Sequence, residues 1–270
     1  MSTSARGASI EEEVARLSRA LVAACERLHR RGLLAGYEGN LSVRLSNGDL
    51  LVTPSGADKA EMTPAQICWT DATGSNRHVG ALRDSAARPS SELQMHLACY
   101  AARPAIQAVV HAHPPVATGF AAAGLTLPND VLPELPVVVG PIAFVPYARP
   151  GTPALARAMQ PFLALHQVFL LANHGVTTLG VSLSDAVLRM ESVEQSARVL
   201  VVARLLGGEQ RLGGDEVAAL LALHAAGRDG ALGSAAAKGL VDIDATPTDV
   251  THASGLIRPY SANGPQDEPT

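Results

Sequence analysis

The run Gln107-Ala108-Val109-Val110-His111-Ala112-His113 ends at Pro114-Pro115, and it limits the fold more than any other stretch of the chain. Short, apolar and β-branched, it predicts a buried strand, and the two prolines forbid regular continuation. Side chains two apart in a strand share a face, so His111 and His113 present adjacent imidazoles at the strand's end. A second apolar run, Gln167-Val168-Phe169-Leu170-Leu171-Ala172, leads into Asn173-His174-Gly175, where the glycine lets the chain turn away. Two strand ends therefore converge on one point. Three neutral imidazoles with an open fourth position are the donor set of a catalytic zinc, because structural sites are usually closed by four protein ligands. Imidazole also suits Mn, Co, Ni and Fe.

A single histidine on an apolar strand is more often a core residue than a ligand. The pair together with His174 reverses that reading. The other histidines, His29, His78, His96, His166, His224 and His252, lack such company and are expected on the surface or on helix faces; His96 follows Glu92 by one helical turn.

With 270 residues the chain can bury a substantial core, and one domain over residues 10–224 followed by a mobile tail over 225–270 accounts for its pattern. A formal charge of −4 offers no basic field for nucleic acid, so the expected partner is a small-molecule substrate. The first ten residues lack the apolar core of a signal peptide, and no apolar run approaches bilayer length, so no membrane partner is expected. Cys25, Cys68 and Cys99 are isolated, which fits buried thiols in a cytoplasmic protein.

Val14, Leu17, Leu21, Val22, Cys25 and Leu28 recur at helical spacing behind Glu11, Glu12 and Glu13, predicting an amphipathic first helix over 11–33. Short strands over 41–45 and 50–53 flank the turn Asn47-Gly48. Ser90 or Ser91 caps a helix to about Ala102, the strand 107–113 follows, and Val137-Val138-Val139 reads as an apolar strand before Ile142 to Val145. Helices from Pro150-Gly151-Thr152 to about His166 and from Ser184 to Leu206 complete the pattern, and from about Ala225 the chain is rich in small residues. Helices before, between and after the strands predict an α/β sheet covered on both faces.

Gly39-Asn40-Leu41-Ser42, Thr53-Pro54-Ser55-Gly56 and Ser90-Ser91 are small, hydrogen-bonding segments beside a glycine or a helix start, the materials of a phosphate cradle. Each alone is also an ordinary turn or cap. Lys59 reads as a solvated charge. Glu92 is either a first-turn carboxylate favoured by the helix dipole, or a metal contact or general base.

Taken in order, these segments with His111-Ala112-His113-Pro114, Pro146-Tyr147-Ala148, Gly151-Thr152 and Asn173-His174-Gly175 resemble the class II aldolase/adducin family, over roughly residues 10–210. The chain is most similar to its fuculose-phosphate aldolase branch. The resemblance implies a three-layer α/β/α subunit around a mainly antiparallel sheet, assembled as a homotetramer with active sites between subunits. It implies that His111, His113 and His174 hold zinc, that Glu92 ligates the ion and then serves as acid/base, and that Asn40, Ser55, Gly56, Ser90 and Ser91 receive a phosphate. Where that branch carries a catalytic tyrosine, this chain reads Leu132-Pro133-Glu134-Leu135-Pro136, which makes Glu134 the candidate acid, with Tyr147 and Tyr260 behind it.

The expected reaction is zinc-dependent retro-aldol cleavage of a ketose 1-phosphate of the fuculose or deoxypentulose type to dihydroxyacetone phosphate and an aldehyde. The alternative is a metal-dependent decarboxylase of a hydroxylated aromatic or sugar acid, because loss of CO2 and loss of an aldehyde leave similar enolate-like charge. An adducin-like interaction module has no reason to keep three histidines together with Glu92.

Overall fold

The computed structural model describes residues 9–77 and 87–226. Helix α1 (Ile10–Arg30) starts at a reciprocal cap: the Glu12 amide donates to Ser9 Oγ, and the Ser9 amide donates to the Glu12 carboxylate. Three glutamates in its first turn oppose the positive end of the helix dipole. Strands β1 (Asn40–Arg44) and β2 (Leu50–Val52) pair antiparallel about the Asn47-Gly48 turn, with Gly48 at φ +88°. Strand β3 (Cys68–Thr70), helix α2 (Leu93–Ala102), strand β4 (Ala108–Ala112) and helix α3 (Pro115–Ala122) follow. Then come β5 (Ile142–Val145), α4 (Pro153–Met159), β6 (Val168–Leu171), β7 (Gly175–Gly180), α5 (Leu183–Leu205) and α6 (Gly214–Ala226).

Among the described residues the strands form one sheet in the order β3-β2-β1-β4-β7-β6-β5. Strand β5 runs parallel to β6 while the other neighbours are antiparallel. The sheet is therefore mixed, which corrects the expectation of a mainly antiparallel one. The parallel pair arises because β5 reaches β6 through α4 rather than through a hairpin.

Alternation along the strands separates two apolar layers. Ala108, Val110 and Ala112 of β4 pack with Leu21 of α1, Phe120 of α3 and Val193 of α5. Val109 points the other way, into a layer with Met95 and Cys99 of α2 and Met159 of α4. Every residue of β4 is buried, and each of its valines contributes about 1.5–3 kcal/mol relative to exposure. The face that carries Val109 also carries His111, so the fold aims this histidine at α2.

Two elements depart from expectation. Leu135–Val139 forms a single π-helical turn instead of a strand, because Pro136 withholds a ladder donor and the Gly140 amide closes back on the Leu135 carbonyl. Helix α6 was unforeseen. It docks on that turn through His224, whose Nδ1 lies 2.9 Å from the Val137 carbonyl and whose ring lies where a Cβ on Gly140 would project. The tail expected over 225–270 lies outside the described residues beyond Ala226.

Candidate active site

Register places the site. Asn40 of β1 pairs with His111 of β4, and His111 pairs with Thr177 of β7, so three polar side chains form a row on the face covered by α2. His111 Nδ1 lies 3.0 Å from the Val176 carbonyl. A carbonyl only accepts, so the proton is on Nδ1 and Nε2 is a bare lone pair. That Nε2 lies 3.1 Å from His113 Nε2 and 3.3 Å from Glu92 Oε2. His174 follows β6 in the turn before β7, and its Nε2 lies 3.4 Å from Glu92 Oε1.

The turn that delivers His174 is sterically demanding. Asn173 has φ +55°, the only positive φ at a non-glycine among the described residues. A Cβ on Gly175 would stand 2.5 Å from His113 Cδ2 and 2.7 Å from the Ala112 carbonyl. On the other side of β4, Gly39 at φ +69° would bring a Cβ within 2.6 Å of the His111 carbonyl. Both glycines permit the close backbone approach that brings the imidazoles together.

One donor atom from each of His111, His113 and His174 falls within 4.8 Å of the others, a grouping able to hold a metal ion. The electrostatics agree. Burial, followed by the neighbouring His174 and His113 rings, holds His111 well below the ordinary histidine range, and burial followed by His113 takes His174 down to about 4. Burial also lowers His113. The triad is thus neutral, the form that ligates metals. Burial pushes the Glu92 carboxyl up, opposed by the hydrogen bond from Asn40. Glu92 Oε1 and His174 Nδ1 are buried without a hydrogen-bond partner among the described residues. A lone pair and a carboxylate facing each other, with such an orphaned oxygen beside them, are what a divalent cation satisfies.

Asn40, Ser55, Gly56, Ser90 and Ser91 come together with Glu92, His113 and His174 around one cleft of about 250 Å3. The Ser90 amide donates to the Thr53 carbonyl and the Ser55 amide to the Arg88 carbonyl, which ties the Thr53–Gly56 turn to the start of α2. Lys59 is a correction to the sequence reading: it is buried under this turn, with Nζ 2.8 Å from the Ala57 carbonyl, and burial lowers its pKa. It thereby sets an ammonium group beneath a turn that has little charge of its own. His96 is also corrected, being buried with its ring nitrogens 2.7 Å from Ser42 Oγ and 2.6 Å from Asn40 Oδ1. His224 likewise is buried, not superficial. His78 and His252 lie outside the described residues.

Tyr37 and Glu38 line the cleft and were not foreseen; Glu38 Oε2 lies 3.5 Å from His113 Nδ1. Their one sequence signal is adjacency to Gly39-Asn40. Glu134 is not in this cleft. It lines a separate groove of about 460 Å3 with Arg31 and Leu132 and the Leu188–Val199 face of α5. Tyr147 is exposed just past β5, and Tyr260 lies outside the described residues.

Comparison with known proteins agrees with this geometry. The family model for the class II aldolase and adducin N-terminal domain matches residues 19–201. The 3-oxo-tetronate 4-phosphate decarboxylase of Escherichia coli K12 is 34% identical over 198 residues, which is 72% of this chain and 87% of that protein. The L-fuculose phosphate aldolase of Methanococcus maripaludis is 35% identical over 65% of this chain and 91% of its own length. The crystal structure of YgbL from Escherichia coli superposes with a TM-score of 0.70 at 31% identity, covering 77% of this chain and 99% of that one.

Proposed function

The chain belongs to the class II aldolase/adducin family of metal-dependent lyases, and on that footing we propose that it removes CO2 from a phosphorylated 3-oxo sugar acid of the 3-oxo-tetronate 4-phosphate class. One observation carries this choice over retro-aldol cleavage. The structure sets a single buried carboxyl, Glu92, against the three imidazoles, while Glu134, the expected second acid, lines another groove.

The two reactions differ in the protons they move. Loss of CO2 from a 3-oxo acid breaks the C1–C2 bond and sends the electron pair toward the C3 carbonyl, with no base required. One proton delivered at C2 then gives dihydroxyacetone phosphate. Retro-aldol cleavage yields the same enediolate, but a base must also take the proton from the hydroxyl whose carbon becomes the aldehyde. A divalent ion held by His111, His113 and His174, zinc by its all-imidazole donor set, supplies Lewis-acid stabilisation of the negative charge that develops on the substrate oxygen.

The chain's own residues do the rest. Glu92, which would ligate that ion before substrate enters, carries a proton taken up from solvent to C2, a role suited to a carboxyl whose pKa burial has raised. Asn40, Ser55, Gly56, Ser90 and Ser91 hold the phosphate and fix the reacting carbons over Glu92, with Lys59 beneath the turn. Retro-aldol cleavage of a ketose 1-phosphate is the second reading, supported by the aldolase relative; in it Glu134 serves a neighbouring subunit's site in a homotetramer. Three buried free cysteines suit a cytoplasmic enzyme.

The test is a parallel assay for dihydroxyacetone phosphate with phosphorylated 3-oxo-tetronate and with fuculose 1-phosphate, with and without chelator. Metal-dependent turnover with kcat/KM favouring the acid supports the proposal, and preference for fuculose 1-phosphate selects the second reading.

A further inference from the structure

Below Glu92, buried side chains form one chain of hydrogen bonds. Tyr100 Oη lies 2.9 Å from Ser42 Oγ, and Ser42 Oγ lies 2.7 Å from His96 Nδ1. His96 Nε2 lies 2.6 Å from Asn40 Oδ1, and Asn40 Nδ2 lies 2.9 Å from Glu92 Oε2. His96 and Ser42 are both 0% exposed, so water does not compete for these groups.

The polarity of the chain is fixed from one end. Asn40 Nδ2 donates to Glu92 Oε2, which turns the Asn40 carbonyl oxygen toward His96. That oxygen only accepts, so His96 carries its proton on Nε2. Nδ1 is then a lone pair, Ser42 spends its one proton on it, and Tyr100 donates to Ser42. Each link then pairs one donor with one acceptor, and reversing any single member sets two acceptors or two donors face to face.

We infer that His96 is a positioning residue for Glu92: it accepts from Ser42 and donates to Asn40, which locks the Asn40 amide in one orientation, anchors Glu92 Oε2 and leaves Oε1 turned to His174. This rests on the reading that Glu92 carries the proton in the reaction. His96 does not line the cleft and acts only through Asn40. Without its Nε2–H the amide is free to flip, and a flipped amide presents its oxygen to the carboxylate and drives Glu92 off its aim. A residue that merely filled space at this position would not care which ring nitrogen held the proton.

Two measurements on the full chain test the inference. In protein labelled with 15N-histidine, with the His96 signals assigned by their loss in His96→Gln, the ring is expected neutral with Nε2 protonated and Nδ1 bare. In turnover, His96→Gln keeps an N–H at the Nε2 position, His96→Asn keeps one only at the Nδ1 position, and His96→Leu keeps none. The expected kcat of His96→Gln is within about threefold of the parent, while His96→Asn and His96→Leu lose about tenfold or more with bound metal unchanged. An Nδ1-protonated ring, a His96→Leu enzyme with undiminished kcat, or a His96→Gln enzyme as slow as His96→Leu overturns the inference. A protein that turns over neither substrate defeats the reading of function alone, and the tautomer, read in the parent protein, still decides the role of His96.

Discussion

His111 donates its only ring proton to the Val176 carbonyl, and its bare Nε2 faces Glu92 Oε2 at 3.3 Å. Two acceptors held this close in a buried site call for a cation between or beside them. The parent protein is therefore expected to bind one divalent ion, and His111→Ala, His113→Ala and His174→Ala are each expected to lose it. Metal analysis and thermal melts with and without added zinc check this; at a hundredfold excess over Kd the ion stabilises the native state by about 2.7 kcal/mol.

Acid sensitivity follows from burial. His96 is held neutral with its pKa down to about 3, and His174 is taken to about 4, both by burial first. In the unfolded chain an imidazole titrates near about 6.5. Between these values the unfolded state binds more protons, so stability of the metal-free protein rises as pH climbs through that window and levels off above it. Glu92 opposes the trend more weakly, since its raised pKa favours the folded state at low pH. Urea unfolding across this range is expected to show the slope, and His96→Gln to flatten it.

Glycine is required where backbone and imidazole meet. Gly175→Ala places a Cβ 2.5 Å from the His113 ring and Gly39→Ala one 2.4 Å from Leu34 Cδ2, the latter also at a positive φ. Each is expected to destabilise by about 2 kcal/mol or more, and Gly175→Ala to weaken metal binding as well. Denaturation midpoints and metal affinity read the two effects separately.

Two glutamates separate the two reactions. Glu92→Gln keeps the shape of the site and is expected to lower kcat by about 10^2–10^4-fold while leaving the fold intact. Glu134→Gln is expected to leave CO2 release unchanged, because Glu134 lines the α5 groove. A large loss in Glu134→Gln would instead support retro-aldol chemistry with a donor from a neighbouring subunit.

The proposed phosphate cradle should act on binding more than on chemistry. Ser55→Ala, Ser90→Ala and Ser91→Ala each remove one hydroxyl from the cleft. Each is expected to raise KM about three- to tenfold with a smaller change in kcat, the cost of about one hydrogen bond. Steady-state kinetics on the phosphorylated acid checks this.

Much of the candidate site was legible because its signals are local. A strand's period of two aligns His111 with His113, Pro114-Pro115 marks the strand's end, and Gly175 marks the turn that delivers His174. The partners of Glu92 were not legible. Asn40 reaches it across 52 residues of sequence through sheet register, and a lone histidine such as His96 carries no sign of burial. Lys59 misled for a related reason, since nothing local shows that the Ala57 carbonyl will receive its ammonium. Val137-Val138-Val139 has strand composition, but the flanking Pro136 and Gly140 turned it into a helical bend. The parallel β5–β6 pairing was hidden because chain direction in a sheet depends on where a connection lands, not on the strands' own residues.

The most direct test follows the carboxyl carbon. Phosphorylated 3-oxo-tetronate labelled at C1 is incubated with the zinc-loaded protein, with a chelated sample and with Glu92→Gln. Labelled CO2 and unlabelled dihydroxyacetone phosphate are expected in equal amounts, with release suppressed by chelator and by the substitution. Label retained in the organic acid, while fuculose 1-phosphate is cleaved by the same preparation, would overturn decarboxylation as the reaction.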